Sequence, residues 1–237
     1  PVISVDTRPD AGPVTMVVRA DNRAFGEKSC DYLGRKLGGR GRVAELQGDL
    51  SSVNGRDRSE AFAACMRRKY PGITVHELPT DWKGEVASAK LQSLLGRYPD
   101  TDGVYMQAGG AFHRPVLALL EQRGLLKPAG TAGHITVVSN DGIPEELAAI
   151  RAGTIDATLS QPADLYAKYA LYYARAALAA DVRARPHRPR LEDREDPERP
   201  GGPAAGPARH PGQCGRPATV GQPARGKIAV AAMPNAT

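Results

Sequence analysis

Asp6, Arg56, Trp82, Asp141 and Gln161 each follow a run rich in β-branched residues, in "VISVD", "VAELQGDLSSVNGR", "ITVHELPTDW", "ITVVSND" and "DATLSQ". Two carboxylates, a guanidinium, an amide and an indole suit a neutral polyol. Carboxylates and amides bridge hydroxyls, and a guanidinium donates in a rigid fork. An indole, here the only Trp of the chain, covers the apolar C–H face of a sugar ring. Asn54, Gln107 and Asn140 occupy similar places and are secondary candidates for the same ligand. Each has a plainer role open to it. Asp141 in "SNDGIPEE" can cap the following helix, with Pro144 in its first turn. Arg56 can be a solvated helix charge, Trp82 a lid over the sheet edge, and Gln161 a partner for loop backbone. Their common location is the stronger signal.

Catalytic chemistry finds less support. "GGRGR" does not satisfy the dinucleotide-binding glycine pattern and precedes a strand pattern, not a helix. No phosphate loop, nucleophile elbow or paired-histidine zinc helix occurs. The five histidines are scattered; His113 has no nucleophile beside it, and His76 falls inside a strand pattern. The three cysteines, Cys30, Cys65 and Cys214, fit no zinc spacing. The expectation is a binding protein, not an enzyme, with no cofactor and no metal.

These residues need elements to hold them. Strand patterns "VISV", "TMVVRA", "RVAELQ", "ITVHEL", "GVYMQ", "ITVVSN" and "DATLSQ" alternate with helical ones. The helical stretches are "AFGEKSCDYLGRKL", "GRDRSEAFAACMRRKY", "EVASAKLQSLLGRY", "RPVLALLEQRG", "PEELAAIRAG" and "DLYAKYALYYARAALAA". In the second, Ala61, Phe62, Cys65 and Met66 share one face. Alternation of strand and helix predicts an α/β fold, a parallel sheet flanked by helices. Ligands of such sheets bind beyond the carboxyl ends of the strands, where the candidate residues lie. No run of about 18 apolar residues is present, and no signal-peptide pattern opens the chain.

"PVISVD", "YL..KLGGRGRVAELQG", "GRDRSEAF", "YPGITV", "DGVYMQ" and above all "NDGIPEELAAIRAGTIDATLSQP" resemble the type I periplasmic sugar-binding proteins. These are the solute-binding subunits of ABC importers. The resemblance covers residues 1–180 and implies two α/β lobes that close on a sugar. It implies that residues 1–20 are a remnant of the first lobe and hinge, most of that lobe being absent, and that residues 21–180 are the second lobe. It assigns sugar contacts to Asp6, Arg56, Trp82, Asp141 and Gln161. Ala108 stands where many relatives carry Asn or Asp, which leaves the sugar open. It further implies an extracytoplasmic location, in the periplasm or as an anchored lipoprotein. The implied partners are a monosaccharide-like ligand and importer membrane subunits, with the intact protein monomeric and no nucleic acid bound. Half of the cleft being absent, the chain as it stands is expected to bind sugar poorly. In an exported protein Cys30 and Cys65 can pair, or can be two small buried hydrophobes. The alternative reading is the effector-binding domain of a LacI-type repressor with the same fold.

Residues 181–237 differ in kind. They hold 10 of the 20 prolines, no Phe, Tyr or Trp, and +4 of the net charge of +6. Such a segment is expected to be a disordered tail. Reading the gene one base out of frame from Asp181 permits an amphipathic, Trp-containing ending, so a frameshift near Ala180 is expected. Neither Cys214 nor the tail charge is then assigned a role.

Overall fold

The computed structural model describes residues 1–179 and 228–229. The expectations for the tail, Ile228 and Ala229 apart, lie outside the described residues. The chain runs β1 (Ile3–Val5), β2 (Met16–Val18), α1 (Asn22–Lys36), β3 (Arg40–Gln47), α2 (Val53–Lys69), β4 (Gly72–Pro79) and α3 (Gly84–Arg97). It continues β5 (Gly103–Met106), α4 (Gly109–Gln122), β6 (Thr136–Asp141), α5 (Pro144–Ala152), β7 (Ala157–Ser160), α6 (Ala163–Leu178) and β8 (Ile228–Ala229). Among the described residues no helix is long and apolar enough to cross a membrane.

Six strands form one sheet in the order β4-β3-β5-β6-β7-β8. The pairings from β4 to β7 are parallel, and β8 joins β7 antiparallel. The chain leaves β3 for β4 on one side, then crosses back to β5 on the other. The carboxyl ends of β3 and β5 therefore flank the switch point of the sheet, where a crevice opens.

Side-chain alternation along the strands feeds two cores. Ala44, Leu46, Val104, Met106 and Val137 pack under α3, α4 and α5 with Leu91, Phe112 and Ala149. Val43, Tyr105 and Val138 face the opposite way, under α1 and α2, with Phe25, Leu33, Phe62 and Met66. The two covering helices α1 and α2 lie very close. Gly26 makes this possible, since a Cβ there would fall 2.3 Å from the Arg58 carbonyl oxygen. A Cys30–Cys65 disulfide ties the same pair, so these cysteines are bonded rather than merely buried.

α4 begins at Gly109, five residues before the helical stretch read from the sequence at Arg114. Pro115 suggests a helix start but sits inside the helix. Its missing N–H leaves the Ala111 carbonyl without an intrahelical donor. That carbonyl faces Gly84, where a Cβ would come within 2.4 Å of it.

β1 and β2 form a separate parallel pair. α6 packs against these two strands, and none of its residues is fully buried.

Candidate functional site

Four non-glycine residues among those described have positive φ: Asp6 at 68°, Asp81 at 53°, Trp82 at 60° and Asp141 at 111°. All four lie at or just past the carboxyl end of a strand, namely β1, β4 and β6. Such backbone costs on the order of 1–3 kcal/mol per residue and persists only where surrounding contacts enforce it. The strain thus gathers at the strand ends where the candidate ligand residues lie.

Arg58 occupies the middle of this region. Its Nε donates to Asn22 Oδ1 at 2.7 Å, and its Nη1 donates to the Gln107 carbonyl. Its guanidinium carbon stands 5.5 Å from the ring centroids of both Trp82 and Phe25. The side chain is buried, yet among the described residues it makes no ion pair within salt-bridge distance. A buried cation between two aromatic faces keeps its remaining N–H donors for a further acceptor.

Asp141, at the end of β6, accepts the Gly110 backbone N–H at 2.8 Å through Oδ2. Burial pushes its carboxyl above the usual range, and the nearby Asp6 charge adds to this. The Gly110 N–H, the Arg58 charge and the Gln161 side chain pull it back. Asp6, Arg58, Asp141 and Gln161 thus share one electrostatic neighbourhood. Gln161 Oε1 accepts from Tyr166 Oη at 2.8 Å, and that phenol oxygen accepts the Ala20 N–H at 2.9 Å. Burial pushes the Tyr166 phenol up to about 12, with Asp6 adding to it and Arg58 and Arg19 opposing.

Asn54 links the β1 end to the helices. Its Nδ2 donates to the Asp6 carbonyl at 3.3 Å and to Asp6 Oδ2 at 3.4 Å. Its Oδ1 accepts from Arg19 and Asn22, each at 3.1 Å. Both sides of Asn54 are therefore engaged.

Arg56 departs from expectation. Its Nη2 pairs with Asp10 at 2.5 Å, and its Nη1 binds the carbonyls of Leu50 and Ser51. It ties a loop together instead of joining the cluster. The reason is helical phase. Arg58 precedes Ala61, Phe62 and Cys65 by three, four and seven residues and so shares their buried face; Arg56 does not. That spacing was legible in the sequence, and Arg58 could have been chosen from it.

Gln107 and Asn140 also have roles other than those expected. Both are fully buried. Gln107 uses its whole side chain on Gly48, Glu45 and Ser59. Asn140 Nδ2 donates to Tyr105 Oη at 3.0 Å and to the Gln107 carbonyl at 3.3 Å. They form the floor beneath Arg58. Tyr166 and Gly48 contact these residues and were not singled out from the sequence; Tyr166 stands five residues after Gln161, in the first turn of α6.

Among the described residues, Cys30, Asp31 and Cys65 are the group spaced closely enough to hold a metal ion. Their two sulfurs are joined to each other, which leaves one carboxylate.

A family model described as a periplasmic binding protein domain matches residues 1–181. The ribose import binding protein of Salmonella typhimurium is 30% identical over 166 residues, 69% of this chain and 52% of that protein. The D-allose-binding periplasmic protein of Escherichia coli is 29% identical over 65% of this chain and 48% of its own length. The chain thus spans about half the length of these curated relatives. Among solved structures, an ABC transporter solute-binding protein from Mycobacterium smegmatis with bound glycerol superimposes with a TM-score of 0.65. It is 29% identical, over 74% of this chain and 58% of that one.

Proposed function

The chain belongs to the periplasmic binding protein family, and from this we propose that it is part of the solute-binding component of an ABC importer, taking a small neutral sugar or polyol at the strand ends. One observation carries the reading. Arg58 is held buried over Trp82, beside Asp141 and Gln161, and its Nε and Nη1 hydrogen bonds to Asn22 and the Gln107 carbonyl use two of the five guanidinium N–H donors, a fork suited to an oxygen-rich ligand. Trp82 offers an apolar face, and Asp141 and Gln161 offer acceptors. Binding and hand-over, not turnover, is the proposed activity. Importer membrane subunits are the proposed partner, outside the cytoplasm, with the intact protein monomeric. The named relatives favour this reading over the effector domain of a repressor.

The proposed lobe boundary follows α6. Because α6 packs on β1 and β2, we assign residues 163–178 together with residues 1–18 to one lobe. The six-stranded sheet and its helices make the other. Asp6 and Gln161 then sit at the crossings between the two.

Titration with D-ribose, D-allose and glycerol, followed by Trp82 emission and calorimetry, tests this. Weak, stereoselective binding is expected, with Kd on the order of 1 mM or about −4 kcal/mol. The weakness reflects the half-length match, in which one lobe is represented by residues 1–18 and 163–178 alone. Loss of the signal in Asp141→Asn is expected too. Equal responses to all three ligands, or none, would refute the reading.

A further inference from the structure

Beneath Arg58 runs a buried chain of polar groups that does not reach solvent. Glu45 lies in the middle of β3, fully buried. Its Oε1 accepts from Gln107 Nε2 at 2.8 Å, and the same Nε2 donates to Ser59 Oγ at 2.8 Å. Gln107 Oε1 takes the Gly48 N–H at 2.9 Å. The Gln107 side chain is thereby fixed on three sides, and so is its main chain. Its carbonyl receives Arg58 Nη1 and Asn140 Nδ2. Every link from Glu45 to Arg58 is a hydrogen bond between buried groups.

Three buried oxygens along this chain lack a hydrogen-bond partner, Asn140 Oδ1 and two that belong to neighbouring side chains of β3. Glu45 Oε2 and Gln47 Oε1 are buried and meet no hydrogen-bond partner. They belong to residues two apart on one strand face, and the Gln47 side chain stands beside the Glu45 carboxyl. An unpaired buried acceptor costs about 1–3 kcal/mol, and a buried unpaired anion more. A single proton resolves both: on Glu45 it supplies a hydroxyl donor, and rotation of the Gln47 amide brings it an acceptor.

We propose that Glu45 is a positioning residue of the cleft, acting as a neutral carboxylic acid that anchors Gln107 and, through the Gln107 main chain, holds Arg58 against Trp82. The surroundings support the neutral form. Burial pushes the Glu45 carboxyl well above its usual range; Gln107 and Gln47 pull it down, and the Glu77 charge on the adjacent β4 pushes it further up. Tyr105, its neighbour on β5, is itself buried, with a phenol pushed up to about 12. Ser59 and Arg58 face this chain from α2, Asn22 and Ser29 from α1, and Asn140 from β6. If Glu45 ionises, its buried charge is met by two neutral amides, Gln47 and Gln107, the latter already shared with Ser59. Water must then enter or Gln107 must move, and either displaces the carbonyl that Arg58 uses. The proposal rests on Arg58 being the cleft donor of the reading above, but its test requires no ligand.

Two measurements on the whole chain test it together. The first follows the side-chain carboxyl carbon of Glu45 by NMR across a pH titration of the wild-type protein. The second follows emission from Trp82, the single Trp of the chain, over the same range. Glu45 is expected to stay neutral where ordinary glutamates have ionised, and Trp82 emission is expected to change in the same pH interval as Glu45 titrates. In Glu45→Gln, which keeps shape and neutrality, the emission step should vanish while the low-pH spectrum is kept. Titration of Glu45 with the ordinary glutamates, a flat Trp82 profile while Glu45 ionises, or an unchanged step in Glu45→Gln would each overturn it. The two wild-type profiles decide the matter even if the variant does not fold.

Discussion

Gly48 lies against the Trp82 ring so closely that a Cβ on it would come within 2.0 Å of Trp82 Cη2. The same glycine donates its N–H to Gln107. One residue thus joins the floor of the site to its aromatic wall. The obstacle to a larger side chain here is space, not backbone, since Gly48 is not among the positive-φ residues.

Gly48→Ala should therefore swing the indole away rather than unfold the sheet. The overpacking cost is expected to be about 1–3 kcal/mol in urea unfolding. Trp82 emission should shift, because the ring leaves the Arg58 guanidinium. An unaltered spectrum would mean that the ring does not rest on Gly48 in solution.

Arg58 and Arg56 separate by binding. Arg58→Ala leaves Asn22 and the Gln107 carbonyl unpaired and removes the cleft donor. A loss of about 2–5 kcal/mol in ligand binding is expected, which places it below detection in this chain. Arg56 makes a half-exposed ion pair with Asp10, so Arg56→Ala should cost about 0–1 kcal/mol of stability and leave binding within a few-fold. The reverse ranking in the same titration would restore Arg56 to the site.

How much of this was legible in the sequence depends on what each residue's position rests on. The shared neighbourhood of Asp6, Asp141 and Gln161 was legible because a strand end fixes the place of the next residue, and hydrophobic runs mark strand ends well. Arg58 was missed because the strand-end rule locates the start of a helix but not its rotation. Gln107 was misread for a similar reason. It stands just past β5 but shares the parity of Tyr105, so its side chain turns under α2. The early start of α4 was hidden because Pro115 signals a helix beginning, and its tolerance in mid-helix depends on Gly84, some thirty residues away. The order of strands, and the packing of α6 on β1 and β2, depend on contacts distant in sequence that no local pattern encodes.

The raised Asp141 carboxyl has a consequence for stability. Its folded state holds a proton more tightly than its unfolded state, chiefly because of burial. Between the ordinary Asp range and the raised folded value, the native form binds more protons, so stability falls as pH climbs through that interval. Above it the penalty is fully present. Asp141→Asn keeps an oxygen for the Gly110 N–H and removes the penalty. It should unfold at higher temperature than wild type at neutral pH, with the gain vanishing at low pH, while losing ligand affinity. A destabilised variant at neutral pH would show that the charge is better paired than its burial implies.

The Cys30–Cys65 bridge closes a loop with a sequence separation of 35. In the chain-entropy account a loop of this size stabilises by about 3–4 kcal/mol. The double variant Cys30→Ser/Cys65→Ser, or reduction of the wild type, should lower the urea midpoint accordingly without altering the Trp82 spectrum. Equal midpoints for oxidised and reduced protein would indicate that the bond is absent or unfelt.

The exposed apolar residues are not scattered. Of the six large hydrophobics exposed among the described residues, Val2 and Val5 flank or belong to β1, and Leu171, Tyr172 and Leu178 lie in the second half of α6, leaving only Leu50 elsewhere. Leu171, Tyr172 and Leu178 are 67%, 64% and 75% exposed, so one face of α6 is open while the other packs on β1 and β2. A contiguous apolar surface of this kind drives association. The chain is expected to self-associate as its concentration rises, seen as a growing average mass in light scattering. Leu171→Glu with Tyr172→Glu should suppress that growth at a stability cost within about 0.5 kcal/mol, since neither side chain is buried. A wild-type chain that stays monomeric throughout the concentration series would show that α6 turns this face inward in solution.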